Sequence, residues 1–349
     1  MSAFARRLVR WQVRHGRHDL PWQRTRNPYR IWLSEVMLQQ TQVATVIPYY
    51  RRFLARFPNV RALATATLDD VLTQWSGLGY YTRARNLHAA AQAVVAEHRG
   101  RFPGTRPALQ SLPGLGRSTA AAIAVFAFGE REAILDGNVK RVLARHFAVR
   151  GYPGEQRVAT RLWALAESEL PARNIEAYTQ ALMDLGAGVC TRKRPDCAAC
   201  PLSKTCEAYA RGKAELYPEA RPRRKRPVRG TSMLLLLREG DVLLEKRPPT
   251  GVWGGLWCFP EIQPGSEKFA GKTLPVLRHE FTHFTLDITP IVRYVESAAL
   301  RVAEPGQIWL PLEEALGAAV PAPVRKLLAS LDSGSLLGEA AALEKALQD

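Results

Sequence analysis

The chain has 349 residues, 46% of them apolar, with a formal net charge of +17 and a pI near 10.1. That length holds two domains with cores of their own, the apolar share argues against a disordered chain, and the charge predicts a polyanionic partner. No apolar run approaches the ~20 residues of a membrane span, so a membrane is not an expected partner.

Residues 1–20 carry Arg6, Arg7, Arg10, Arg14 and Arg17 among single apolar residues, which reads as an amphipathic helix rather than a signal peptide. From there to about 210 the chain reads as helices joined by short turns. Helical spacing recurs in Phe4, Leu8 and Trp11, in Val43, Val46 and Ile47, in Leu87, Ala90, Ala91 and Val94, and in Ile123, Val125 and Phe126. Pro48, Pro58, Gly77, Gly79, Pro103 and Gly129 punctuate these runs. Strand-like alternation is missing, so residues 1–210 are expected to be all-α.

Three stretches of this half carry chemistry. Glu35 is the only charge in Ile31-Trp-Leu-Ser-Glu-Val-Met-Leu38. Desolvation raises a carboxyl pKa, which makes Glu35 a candidate proton donor; the pattern equally allows a place on the exposed stripe of a helix. Leu112-Pro-Gly-Leu-Gly-Arg-Ser118 precedes a helical run from Thr119 to Phe128. Pro113 stops one helix, Gly114 and Gly116 are expected to turn with positive φ, and the next helix offers unpaired N–H groups to a phosphate. Such a contact reads backbone, not sequence. Asp136 follows an apolar run and precedes a helix at Val139–His146. A helix N-terminus favours an anion by about 0.3–1 kcal/mol, and Lys140 and Arg141 add to that bias, so Asp136 is expected to stay ionised. An ordinary helix cap is the plainer reading. Together the pair suits one acid kept protonated and one anion facing a developing positive sugar.

Cys190, Cys197, Cys200 and Cys206 follow at C-x6-C-x2-C-x5-C, with Pro195 and Pro201 breaking any helix. Clustered cysteines without signs of secretion favour a metal centre over disulfides and a reducing, cytoplasmic setting. Zinc accepts four thiolates but favours paired C-x2-C knuckles; the single such pair tips the reading toward iron–sulfur. Cys258 is the odd one and is expected to pack.

Residues 211–230 change character. Arg221-Pro-Arg-Arg-Lys-Arg-Pro-Val-Arg229 holds six basic residues and two prolines in nine positions. It reads as a semi-extended linker, either a strap along a phosphate backbone or a solvated tether. From 231 to 331 the periodicity is that of an α+β domain. Thr231–Arg238, Asp241–Arg247, Ile288–Val295 and Ile308–Pro311 are strand-like, and helices are expected at 312–317 and 322–331. A tail follows at 332–349.

Several strings resemble the adenine DNA glycosylase (MutY) family of the endonuclease III, or helix-hairpin-helix, superfamily. They are W-L-S-E-V-M-L-Q-Q-T-Q-V from Trp32 to Val43, G-L-G-Y-Y-T-R-A-R-N-L from Gly77 to Leu87, and L-M-D-L-G-A-G-V-C from Leu182 to Cys190. The cysteine spacing and the Leu112–Ser118 turn match as well, so the helix-hairpin-helix falls at 105–129 and the cluster loop at 190–206. Arg247-Pro-Pro-Thr-Gly-Val-Trp-Gly-Gly-Leu-Trp257 with Phe259-Pro260 is similar to that family's Nudix-like domain, without a Nudix box.

The resemblance implies an enzyme that flips and hydrolytically removes adenine opposite 8-oxoguanine or guanine in duplex DNA, acting as a monomer and carrying one [4Fe-4S] cluster on the four cysteines. It implies that Glu35 protonates N7 of adenine and later handles water. Asp136 stabilises the oxocarbenium ion, directly or through a covalent sugar intermediate, and Asn138 orients Asp136. Trp22 and Gln180 line the adenine pocket. Gln39 and Tyr80 wedge into the stack with Leu78 beside them, Gln40 and Thr41 adjoin the DNA, and Gly114, Gly116 and Ser118 meet the backbone. Phe281, Thr282 and His283 stand where the family senses 8-oxoguanine with Phe-Ser-His. Thr282 keeps the hydroxyl and adds a methyl. Ser118 replaces the lysine of endonuclease III relatives, which implies a monofunctional glycosylase. An endonuclease III-type lyase and a non-catalytic DNA-binding protein are the rival readings.

Overall fold

The computed structural model describes residues 1–222, 226–262, 271–295 and 305–332. The tail expected beyond 332 and the centre of the basic linker lie outside these residues. The chain divides into two compact units, Met1–Thr65 with Asn86–Arg223 and Ala66–Arg85 with Arg224–Asp349.

The first unit is helical. Its helices start where the sequence supplies caps. Asn27 accepts from the N–H groups of Tyr29 and Arg30 and is followed by Pro28, which opens the helix Pro28–Leu38. Asp136 accepts from the Val139 N–H at 2.7 Å and opens Gly137–His146. Gly129, at φ +72, closes Arg117–Phe128 in the left-handed conformation that favours glycine. The first helix, Ala3–His15, lays Phe4, Ala5 and Leu8 against Tyr178, Ala181 and Leu182 of Ile175–Asp184. Pro48 departs from its expected role as a breaker. It lies inside Val43–Arg56, where it forfeits the bond to the Ala44 carbonyl without ending the helix.

The second unit is built on a mixed sheet. Strand Val228–Arg238 pairs in parallel with Thr285–Tyr294 and antiparallel with Asp241–Lys246. Gln307–Pro311 extends the sheet beside Asp241–Lys246, and Leu277–Glu280 folds back on Thr285–Tyr294. Met233 to Leu237 are all buried, as befits a strand covered on both faces. Thr285–Tyr294 instead alternates, burying Leu286, Ile288, Pro290 and Val292. Helices Leu312–Gly317 and Ala322–Asp332 complete the unit. The leading strand begins three residues before the expected start, because Pro227 is already in register and its carbonyl accepts the Thr285 N–H. The short strands Trp257–Cys258, Glu261–Ile262 and Lys272–Thr273 are too brief to show a period.

The two compact units are not contiguous in sequence, because of the segment Ala66–Arg85. It lies in the helical half of the chain yet belongs to the C-terminal unit. Its helix Leu68–Trp75 is capped by Thr67, which accepts from the Asp70 N–H at 3.1 Å.

Candidate active site

A cavity of about 520 Å³ opens in the helical unit, within the size range of small-ligand sites. Trp22, Glu35, Phe126 and Gln180 are among the side chains that line it. Glu35 reaches it from the middle of Pro28–Leu38, whose Ile31, Trp32, Leu33, Val36 and Met37 are buried. That helix packs on Arg117–Phe128, so the cavity wall is fixed by core contacts. Glu35 keeps some accessible surface where it faces the cavity, while its carboxyl is deeply enclosed. Desolvation, with a smaller contribution from the charge of Asp136, raises its pKa from 4.5 to about 8. The sensitivity to Asp136 places the two carboxyls in one electrostatic neighbourhood.

Asp136 is not among the residues lining the cavity. Burial pushes its carboxyl above the usual range, against the expectation that the helix terminus and neighbouring cations would dominate. The Val139 and Asn138 N–H groups, then Arg141 and Lys140, act in the opposite direction. Those partners decide the order of ionisation. The carboxyl that receives N–H donors and cationic neighbours loses its proton first, and its charge then holds the proton on Glu35. Asn138 acts on Asp136 through its backbone. Its side-chain oxygen accepts from Arg141 Nη2 at 2.9 Å instead.

The surrounding chain is latched. Ser118 Oγ accepts the Leu135 N–H at 2.9 Å, one residue before Asp136. A Cβ on Gly186 would lie 2.6 Å from the Asn138 Cβ, so only glycine lets the turn at Leu185–Val189 close on this helix start. Arg141 then ties the helix to the next loop, donating to Gly186 O at 2.6 Å and to Cys190 O at 2.7 Å. On the other wall, Gln180 donates its amide to Asp184 Oδ1 at 2.8 Å. Asp184 also accepts from Arg17 Nε at 2.6 Å and from the Arg17 N–H at 2.9 Å. Because a carboxylate only accepts, the Gln180 carbonyl oxygen is the end left for the cavity.

In the 105–129 turn, Gly114 takes φ +77, and a Cβ there would meet Asn86 at 2.6 Å. Gly116 does not share that conformation. It is an extended N-cap at φ −77, with open space where a Cβ would be. Its value is access to the first N–H groups of Arg117–Phe128 rather than a left-handed turn. Gln39 donates to Thr119 Oγ1 at 3.3 Å, and Gln40 takes φ +59, which brings the Gln39–Thr41 turn beside this helix start. Leu78 is buried and cannot itself reach into a base stack, whereas Tyr80 is 50% exposed.

Cys190, Cys197, Cys200 and Cys206 all line one small apolar cavity. Burial raises the Cys200 thiol to about 11, and the other three cysteines add to the rise. Four thiolates crowded so closely need a cationic centre, which is the donor set of a metal cluster. Among the described residues no group of three His, Cys, Asp or Glu is placed to hold a single ion. Buried Arg145 braces the loop, donating to Cys190 Sγ at 3.3 Å and to Thr191 O at 2.6 Å. In the C-terminal unit, Phe281 to Phe284 form a tight connection in which Phe281 N–H donates to Phe284 O at 2.9 Å. The two phenyl rings stack at 4.4 Å and leave Thr282 and His283 exposed at the tip.

Residues 33–168 match the model of the HhH-GPD superfamily of base excision DNA repair proteins, and residues 232–330 match a NUDIX domain. An adenine DNA glycosylase of Buchnera aphidicola is 35% identical over 93% of this chain and 96% of its own. The chain belongs to the adenine DNA glycosylase family. The adenine DNA glycosylase of Mus musculus is 34% identical over 94% of this chain and 77% of its own. A solved thermostable thymine-DNA glycosylase, at 30% identity and a TM-score of 0.55, covers 60% of this chain and 95% of that one. As a member of the adenine DNA glycosylase family, the chain is a base-excision enzyme that removes adenine from DNA. None of its described helices is long and apolar enough to cross a membrane.

Sequence reading missed Phe126, Arg17 and Asp184 at this site. Phe126 reads as core from its helical spacing, and nothing local in the sequence joins Arg17 to a carboxylate 167 positions away.

Between pH about 4.5 and about 8 the folded chain keeps a proton on Glu35 that the unfolded chain has released, so stability falls as pH rises through that window. A Glu35→Gln variant escapes that loss. Its melting temperature is expected to rise above the parent's progressively from pH about 5 to about 8 and to hold the gain beyond. A difference independent of pH refutes the raised pKa.

Proposed function

We propose that the enzyme flips adenine from A:8-oxoguanine and A:G pairs in duplex DNA and hydrolyses its glycosidic bond without cutting the strand. The observation that carries this is a buried glutamate, its pKa raised by desolvation and by the charge of Asp136, facing a cavity of about 520 Å³ that is roomy enough for a nucleobase. Glu35 gives its proton to N7 of the bound adenine. The bond between N9 and C1′ breaks with its electrons on the base, and the Asp136 carboxylate faces the positive sugar that remains. Water adds at C1′ and returns a proton to Glu35. Trp22 offers the base a flat wall, and the Gln180 carbonyl accepts from the exocyclic amine, a donor that guanine lacks at that position.

Gly116 and Ser118 open a helix whose first N–H groups suit a phosphate. Flipping costs a few kcal/mol, which such contacts and a Tyr80 wedge supply. Ser118 bears no amine, and its hydroxyl is engaged with the Leu135 N–H; a Schiff base has no nucleophile there. The exposed Thr282 and His283 read the 8-oxoguanine partner. The four cysteines line one small apolar cavity and suit a [4Fe-4S] cluster, which their single C-x2-C pair favours over zinc. When bound, the cluster supplies the positive core that fixes the 190–206 loop and presents Arg192, Lys193, Arg194 and Lys204 to DNA.

Base release should be fastest with A opposite 8-oxoguanine, slower opposite G, and negligible opposite T. Glu35→Gln and Asp136→Asn are each expected to slow it by at least about 10²-fold; release at the parent's rate from both variants contradicts the assigned chemistry. Activity should also decline as pH rises past about 8, where Glu35 loses its proton. Borohydride added during turnover should trap no covalent adduct, and an efficient adduct would favour the lyase reading. The purified protein should be yellow-brown, with iron and sulfide in equal amounts; a colourless protein holding stoichiometric zinc overturns the cluster.

A further inference from the structure

The segment Ala66–Arg85 is fastened to the C-terminal unit at several points. Lys246 pairs with both carboxylate oxygens of Asp69. Arg325 Nη2 donates to Ser76 Oγ at 2.7 Å and to Ala318 O at 3.0 Å. Tyr81 donates its hydroxyl to Val320 O at 3.2 Å, and Arg85 Nη1 donates to Gly254 O at 2.6 Å. Gly255 sits close enough to the Leu72 side chain that a Cβ would lie 3.6 Å from it.

What these ties hold is a stiff turn. Gly77 and Gly79 have φ +93 and +76, and Tyr80 itself sits at φ +51. A non-glycine residue in that region is strained and persists only where its surroundings enforce it. Here Trp75 Nε1 donates to Gly79 O at 3.1 Å. Buried Arg83 donates to Gly79 O at 3.0 Å and lies 5.2 Å from the Trp75 ring and 5.5 Å from that of Tyr80. An aromatic ring is thus pushed outward on a backbone that cannot relax.

The same unit carries the Thr282–His283 tip. Phe281, at its base, lies 5.6 Å from the ring of Trp253, and His279 lies 5.8 Å from it. Trp253 also takes a left-handed φ, +56, and leads directly into Gly254 and Gly255. One short turn therefore meets the tip through Trp253 and the Tyr80 segment through the next two residues.

We propose that Lys246 and Arg325, with the Gly254 carbonyl, are positioning residues that fix the reach of Tyr80 relative to the Thr282–His283 tip, so that wedge and reader engage a damaged pair as one piece. This rests on the reading of Tyr80 as a wedge and of the tip as the 8-oxoguanine contact. The clamp then governs preference for 8-oxoguanine over guanine and leaves bond breaking to the helical unit.

The test uses the full chain with Lys246→Met and Arg325→Met, singly and together. Single-turnover adenine release is measured on A:8-oxoG and A:G duplexes, with 2-aminopurine beside the 8-oxoguanine to report unstacking by fluorescence. The double variant should lose about tenfold on A:8-oxoG and less than about twofold on A:G, with a blunted fluorescence rise. Combining Lys246→Asp with Asp69→Lys should restore most of what Lys246→Asp loses, which ties the loss to this ion pair. Equal losses on both duplexes, or no loss with the fluorescence rise intact, overturn the clamp. Tyr80→Ala separates the two levels. If it removes the preference and the fluorescence while the clamp variants do not, only the clamp fails. If it changes neither, the wedge reading fails with it.

Discussion

Two carboxyl groups share a poorly solvated neighbourhood in the helical unit, and their local partners determine which of them ionises first. Asp136 caps a helix, receives the Val139 and Asn138 N–H groups, and feels Arg141 and Lys140. Burial still raises its pKa, but no comparable set of donors offsets burial for Glu35, whose pKa climbs to about 8. Once Asp136 is charged, repulsion reinforces the proton on Glu35. The same helix cap that any protein uses to start a helix thereby becomes the electrostatic control of its neighbour.

Much of the unit serves to keep that pair in place. Ser118 grips the chain just ahead of Asp136, and Gly186 lets a turn press against Asn138. Arg141 carries the connection on to Cys190, and Arg145 braces the cysteine loop from its other side. The cysteine loop and Asp136 are therefore joined by hydrogen bonds to one helix, Gly137–His146. On the cavity's other wall, the chain Arg17–Asp184–Gln180 fixes an amide whose free end is an acceptor. These are preorganised polar contacts, and preorganisation is where most of an enzyme's advantage over water lies.

The C-terminal unit follows a different logic. Its exposed tip and the exposed Tyr80 are both held on left-handed or tightly hydrogen-bonded backbone. In the function proposed above both meet a large, rigid partner, and stiffness beforehand then helps, since ordering them on contact would draw on the binding free energy.

The sequence alone determined the class of each half, because helical spacing in residues 1–210 and β-rich runs beyond 231 are local signals. It also exposed Glu35 as the one charge in an apolar run, Asp136 at a helix start, and the four cysteines, since each stands out from its immediate neighbours. Only the tertiary structure decided how these residues behave. Whether Glu35 faced solvent or a cavity depended on what packed around its helix, and the balance at Asp136 depended on burial that no short string encodes. That Gly114 takes a positive φ with Asn86 pressed against it, while Gly116 is extended beside open space, was likewise settled by the fold. The transfer of Ala66–Arg85 to the C-terminal unit arose from ion pairs and hydrogen bonds between distant positions, such as Lys246 with Asp69, 177 residues apart. Local chemistry is written in adjacent residues; desolvation and long-range pairing exist only once the chain has closed on itself.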